Sequence, residues 1–195
     1  GADVSLPVES VKLKAGLSLE TRDRSYGIRY FQMDHRGVSP QNSSLVVLPL
    51  ESIYAPENFG TGKFSAIEIS KPSDTYEADQ NILASYLMAD VPFTIADERF
   101  RAVGGVRLEN ATQNIQTTQS FSSTEPVMIQ LKKADVLPSL NLTYLFNDVT
   151  NLRLAYSQSV NRPEFRELSS VLFYDFDAYE NVVGNPALQR ALARN

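Results

Sequence analysis

Apolar and polar residues alternate with a period of two along most of this chain. Leu152, Leu154, Tyr156 and Val160 share one parity and Asn151, Arg153, Ala155, Ser157 and Ser159 the other, with Gln158 the one polar residue on the apolar side. Just upstream, Leu140, Leu142, Tyr144 and Phe146 alternate with Ser139, Asn141 and Thr143. The turn formers Asn147-Asp148-Val149-Thr150 join the two runs into a tight antiparallel hairpin. Residues 99–116 place Phe100, Ala102, Val106 and Leu108 opposite Arg99, Arg101, Arg107 and Glu109. Residues 75–91 carry Tyr76, Ala78, Ile82, Ala84, Tyr86 and Met88 in phase against Glu77, Asp79, Asn81 and Ser85, with Leu83 and Leu87 blurring the pattern. A fifth strand, residues 11–31, changes parity near Arg22 to Ser25, between Val11, Leu13, Ala15, Leu17 and Leu19 and Tyr26, Ile28 and Tyr30. That change reads as a bulge or as a strand passing from one environment into another.

The connections predicted between these strands run long (32–73), short (92–98), intermediate (117–132), short (147–150) and long (161–188). Short turns segregated from long loops are the habit of an outer-membrane barrel, whose short turns face the periplasm. Asn161-Arg162-Pro163-Glu164 predicts a short helical turn at the start of the last loop. Residues 187–194 are ambiguous. Gly104-Gly105 within a strand predicts a bulge or a close backbone approach.

Composition narrows the classes. The longest apolar stretch, Leu45 to Leu50 and interrupted by Pro49, is far short of the ~18 residues of a spanning helix. The 195 residues carry 18 Lys and Arg against 23 Asp and Glu with no basic stripe, which excludes the footprint of a nucleic-acid binder. Zero cysteines exclude disulfides, thiolate metal sites and a cysteine nucleophile. A membrane β-barrel passes this filter, since only alternate residues face lipid.

Candidate chemistry is sparse. His35 is the one histidine, in a predicted loop, and supports neither a zinc site nor a triad. Glu164 and Glu167, Asp97 and Glu98, and Asp175 and Asp177 read as solvated or ion-paired carboxylates, and no phosphate loop occurs. No catalytic residue, metal or cofactor is predicted. The sharper signal is charge on the non-lipid parity: Arg99, Arg101, Arg107, Glu109 and Arg153 would each cost several kcal/mol in a dry core unless paired, a cost that a wet lumen removes.

Several ordered blocks carry a resemblance. They are Leu137-Pro138-Ser139-Leu140-Asn141-Leu142, Thr150-Asn151-Leu152-Arg153-Leu154-Ala155-Tyr156-Ser157, Asn161-Arg162-Pro163-Glu164-Phe165-Arg166-Glu167-Leu168, Tyr174-Asp175-Phe176 and Gly184-Asn185-Pro186-Ala187-Leu188. Upstream stand Ala84-Ser85-Tyr86-Leu87-Met88 and Gly104-Gly105-Val106-Arg107-Leu108-Glu109. Together they resemble the barrel of TonB-dependent outer-membrane receptors over roughly residues 74–190, more loosely upstream. The resemblance implies a 22-stranded barrel around an N-terminal plug, importing a scarce ligand with energy delivered by TonB. No plug or TonB-binding segment is present and Asn195 is not a terminal aromatic, so residues 1–195 read as an internal fragment of the barrel domain.

The expectation is therefore an all-β antiparallel up-and-down meander of about five long strands, with lipid-facing tyrosines and leucines alternating with lumen-facing polar residues. Its partners would be outer-membrane lipid, the protein's own plug, TonB, and a small-molecule or oligosaccharide ligand bound by the loops. Arg99, Arg101, Arg107, Glu109 and Arg153, with Arg162, Glu164, Arg166 and Glu167, are the candidate plug or wall contacts, mutual cross-strand ion pairing being the alternative. A soluble secreted β-sandwich binding module, a complete small barrel and a carboxylate hydrolase stand as rivals. Free strand edges and an apolar band also predict edge-to-edge self-association of the isolated chain.

Overall fold

A computed structural model describes residues 1–8, 10–118, 125–147 and 149–195. Seven strands form one antiparallel sheet: β1 (Ala2–Val8), β2 (Val11–Gly27), β5 (Thr75–Ile95), β6 (Glu98–Thr118), β7 (Pro126–Leu145), β8 (Asn151–Asn161) and β11 (Ala191–Arg194), in that spatial order. Two two-stranded hairpins lie in the long connections, β3 (Phe31–Asp34) with β4 (Ser65–Glu68), and β9 (Leu172–Asp175) with β10 (Glu180–Val183). Single-turn helices α1 (Leu50–Ile53) and α2 (Phe165–Leu168) also belong to those connections.

The five expected long strands are β2, β5, β6, β7 and β8, and their neighbours in sequence pair as a meander. The predicted hairpin of residues 139–160 forms, from Ser139↔Ser157 to Leu145↔Asn151. Asn147 closes its turn, its side-chain oxygen accepting from the amides of Val149 (2.9 Å) and Thr150 (2.7 Å), while Asp148 lies outside the described residues. Between β5 and β6 the turn shrinks to Ala96 and Asp97, both with positive φ (51° and 65°), the pair of left-handed residues a primed hairpin turn demands. The β1–β2, β5–β6 and β7–β8 turns share one end of the sheet, and the long connections share the other.

Several expectations are corrected. β1, not predicted, alternates Ala2, Val4, Leu6 and Val8 with Asp3, Ser5 and Pro7 on a short edge strand. β2 ends at Gly27, and residues 31–34 belong to the separate β3–β4 hairpin. No bulge occurs near Arg22 to Ser25: the register runs unbroken from Lys12↔Asp90 to Gly27↔Thr75. The change of parity marks the strand leaving its apolar surroundings. The connection placed at 117–132 is strand at both ends, with residues 119–124 outside the described ones. The ambiguous tail contains β11, which pairs with β8. Gly104-Gly105 makes no bulge either; a Cβ on Gly105 would stand 2.4 Å from the carbonyl oxygen of Leu87, so the close approach is what requires glycine.

The most instructive correction concerns β5. Its in-phase set Tyr76, Ala78, Ile82, Ala84, Tyr86 and Met88 lies on the inner face, the face that the chain's own loop covers, and Leu83 and Leu87 are the outer residues. Tyr76 and Tyr86 are thus not lipid-facing. Register carries the outer face across the sheet as Leu13, Ala15, Leu17 and Leu19 on β2, then Leu83, Leu87, Ala89, Val91 and Phe93 on β5. It continues as Phe100, Ala102, Val106 and Leu108 on β6, Val136, Pro138, Leu140, Leu142 and Tyr144 on β7, and Leu152, Leu154 and Tyr156 on β8. Many of these side chains are more than half exposed, Leu154 at 71%. On β6 this run covers residues 100–108, nine residues, the length of strand that crosses a bilayer. At the tight-turn rim Phe93, Phe100, Tyr144 and Phe146 form a row of rings with centroids 5.5, 5.0 and 6.0 Å apart. Beyond Leu108 the outer face turns polar, with Asn110, Thr112, Asn114 and Gln116. β6 continues there for about 30 Å along the strand.

Candidate functional site

The β6–β7 register places Glu109 directly opposite Asp135 on the inner face. Two carboxylates facing each other across neighbouring strands repel, so the fold needs a cation between them. Arg162, just past β8, supplies it: one guanidinium nitrogen donates to Glu109 Oε2 at 2.7 Å and to Asp135 Oδ2 at 3.0 Å. Arg107 donates to Glu109 Oε1 at 2.6 Å, and Arg190 closes the network on Asp135, whose side chain is wholly enclosed. Sequence reading missed Asp135 and Arg190. Asp135 shares the parity of Leu137, Ser139 and Asn141, a signal available in the sequence, whereas Arg190 lies 55 residues from it and needed the fold.

The same loop is stitched on above that network. Gln80 and Gln113 are cross-strand partners; Gln113 donates to Gln80 (2.9 Å) and to the carbonyl of Pro163 (3.1 Å). Pro163 stands just before a turn in which the Glu164 amide donates to the Glu167 carboxylate (2.8 Å) and Ser169 N donates to Phe165 O (3.0 Å). That turn drives Phe165 and Leu168, with Val171, onto Tyr76, Ala78 and Ile115 to form the buried core. Gly184 fits against α2 so tightly that a Cβ would stand 2.3 Å from the carbonyl oxygen of Ser169, and Asn185 N donates to Glu167 O at 2.6 Å.

The nine predicted site residues therefore separate. Arg107, Glu109 and Arg162 meet in the carboxylate network. Glu164 pairs with Arg22 at 3.4 Å, Arg166 lies over the Phe173 ring at 5.1 Å, and Glu167 caps α2. Arg101 makes a two-pronged pair with Asp90, 2.8 and 2.6 Å. Arg99 and Arg153 lie on the inner parity nearer the tight turns.

In the long loops, paired charges set carboxylate acidity. Two hydrogen bonds from Arg29, 2.9 and 2.7 Å, hold Glu68 down to about 2, with Ser70 assisting. Arg36 lowers Asp34 in the same way, and the amides of Ala178 and Asp177 lower Asp175. Among the described residues no group of three or more His, Cys, Asp or Glu side chains is placed to hold a metal ion. No helix among them is long and apolar enough to cross a membrane.

A β-sandwich would need a second sheet packed on the first, and the other sheets here are loop hairpins of two strands. An apolar outer band edged by rings, an inner face that is polar and charged, and segregated turns define the wall of a transmembrane β-barrel. Residues 1–195 match the outer membrane protein beta-barrel family, and the chain belongs to that family, whose place is the bacterial outer membrane. Comparison with curated proteins and with solved structures found no match. With that orientation the tight turns are periplasmic and the long loops extracellular.

Proposed function

We propose that the chain is a segment of the barrel of a TonB-dependent receptor that imports a scarce ligand such as a siderophore, cobalamin or a glycan. The observation that carries this reading is the loop opening with Asn161-Arg162-Pro163. That block, one of the several that carry the resemblance, is also the one folded against the inner wall, by Arg162 on Glu109 and Asp135 and by Phe165 in the core. A loop built into the wall narrows the lumen, as a receptor needs and an open pore does not. On this reading the seven strands are part of a 22-stranded barrel around a plug. The extracellular connections 28–74 and 162–190 then hold the ligand, and Arg99, Arg101, Arg107 and Arg153 face the plug. The protein performs transport and no catalysis. As an isolated chain, the free edges of β1 and β11 pair with other copies.

The test is uptake by the producing cell. Deleting the full-length gene should abolish growth on one scarce nutrient class, and removing TonB should abolish it equally. Uptake indifferent to TonB and to the proton-motive force would overturn the reading.

A further inference from the structure

On the outer face the apolar band ends at Leu19 on β2, Leu83 on β5, Leu108 on β6 and Val136 on β7. Register then stacks three polar rows above it. The first is Thr21, Asn81, Thr112 and Lys132, the second Asp23, Asp79, Asn114 and Gln130, and the third Ser25, Glu77, Gln116 and Met128. Hydrogen bonds run along the second row and fix its side chains. Gln130 Nε2 donates to Asn114 Oδ1 at 2.9 Å and Asn114 Nδ2 to Asp79 Oδ2 at 2.9 Å, with Asn81 Nδ2 reaching the same oxygen at 3.4 Å. Asp23 faces Asp79 directly across β2 and β5, as Glu109 faces Asp135 on the inner side. Among the described residues the outer pair has no bridging arginine, and its side-chain donors are these amides. A cavity of about 420 Å³ has Asp23, Arg24, Glu77, Asp79, Asn114 and Gln116 in its lining. A second, of about 400 Å³, shares Ser25, Glu77 and Gln116 with it and continues up to Gly27 and Thr75.

We propose that these rows seat the saccharide of the outer leaflet's own glycolipid, whose acyl chains pack on the apolar band directly below. The inference stands on the family's place in the outer membrane and is independent of what the lumen carries. Access is the first argument. The inner side of the same strands is closed by Phe165, Leu168 and Val171, so an occupant of the rows comes from beside the barrel and not through it. The rows also continue the strands that face lipid, and a molecule anchored in the outer leaflet reaches them without leaving the membrane. Chemistry is the second. Short amides, carboxylates and hydroxyls set donors beside acceptors, the complement of vicinal sugar hydroxyls. Such hydroxyls donate to Asp23, Glu77 and Asp79 without bringing another charge. The one cation in the rows, Lys132, stands in the lowest, nearest the phosphates of a glycolipid headgroup. Size is the third. With Gly27 and Thr75 the face spans three strand spacings, about 14 Å, by about 20 Å along the strands. That is about a third of one side of a standard protein interface, too little for a folded partner and enough for a slender oligosaccharide. Both cavities fall within the ~300–1,000 Å³ of small-ligand sites.

The experiment uses the full-length protein purified in detergent, with heat-modifiable gel mobility to establish that the barrel has folded and native mass spectrometry to read what it binds. The probes are lipopolysaccharide from the producing cell, its acylated and phosphorylated anchor stripped of the core sugars, and the released core oligosaccharide. Wild type should bind the whole glycolipid about tenfold more tightly than the stripped anchor. Asn81→Ala/Asn114→Ala/Gln130→Ala should lose that preference while binding the stripped anchor as wild type does. If the triple variant fails to fold, Gln130→Ala alone should lower the preference about threefold. Equal affinity of wild type for the whole and the stripped lipid overturns the proposal and leaves the rows to water. A preference kept in full by the folded triple variant also overturns it, placing the saccharide elsewhere on the barrel. Core oligosaccharide bound as tightly as the whole glycolipid overturns the leaflet as the source and assigns the rows to a soluble glycan. A triple variant that changes only the number of protein copies per particle overturns it in favour of a second copy of the chain.

Discussion

Above Arg107, the inner faces of β5 and β6 carry Tyr76, Ala78, Ile115 and Gln113 beneath Phe165, Leu168 and the Pro163 carbonyl of the chain's own loop. Below it, the same two strands in the same register present Thr94, Asp90, Arg99 and Arg101 to the lumen. The strands are continuous, and what differs is the partner. Where the chain supplies its own cover, the inner face is apolar with enclosed charges neutralised one against another. Where it supplies none, lysines and arginines stand among Met88, Val103 and Leu145 and small residues such as Gly105 and Ser139. The upper wall's composition thus records the loop that lies against it.

Five measurements probe the contrast, from the largest expected effect down. Phe165→Ala should cost about 3–5 kcal/mol of loop docking, since its ring is wholly buried on Tyr76 and Ile115. Protease cleavage within residues 162–190 on intact cells should rise sharply. Arg162→Ala should cost about 3 kcal/mol by removing the one cation that bridges Glu109 and Asp135, leaving Arg107 and Arg190 to hold one carboxylate each. Adding Glu109→Gln to it should recover part of that loss in a double-mutant cycle, and strict additivity would deny the network. Gly105→Ala should cost about 1–3 kcal/mol by driving a methyl group into the backbone of Leu87, read as a lower temperature for the gel-mobility shift. Arg153→Ala, on the uncovered half, should change barrel stability by less than about 0.5 kcal/mol. A large loss there would mean that the lower wall is as self-supporting as the upper.

The last measurement concerns pH. Glu68 has its folded acidity pushed down to about 2 by Arg29, so its pairing contributes fully above the ordinary carboxylate range and is lost as pH falls through 2. Protease protection of the β3–β4 hairpin should hold from pH 7 to about 5 and then decline toward pH 2. In Arg29→Gln the decline should begin at higher pH.

The strands and the sorting of short from long connections were legible because lipid on one side and water on the other enforce the period of two. Which parity faces lipid was legible for β6, β7 and β8, whose inner residues are polar. It was not legible for β5, because Phe165 and Leu168 come from some ninety residues away to make its upper inner face apolar too. The charged inner parity was readable residue by residue. That Glu109 opposes Asp135, and that Arg162 and Arg190 converge on them, depends on register and loop closure. The charges of residues 162–167 look like one cluster in sequence, yet the single turn of α2 sends them in four directions.

The ring row at the periplasmic rim has a mechanical consequence. Sliding the wall by two residues in one direction draws Glu98, now held by the Tyr144 hydroxyl at 2.9 Å, into hydrocarbon; sliding it in the other draws in Asn110. β6 is hydrogen-bonded to both neighbours along its length, so the stop at its two ends resists vertical displacement of the joined wall. A force along the barrel axis then meets a fixed frame, and its work goes into straining the wall rather than lifting it through the bilayer.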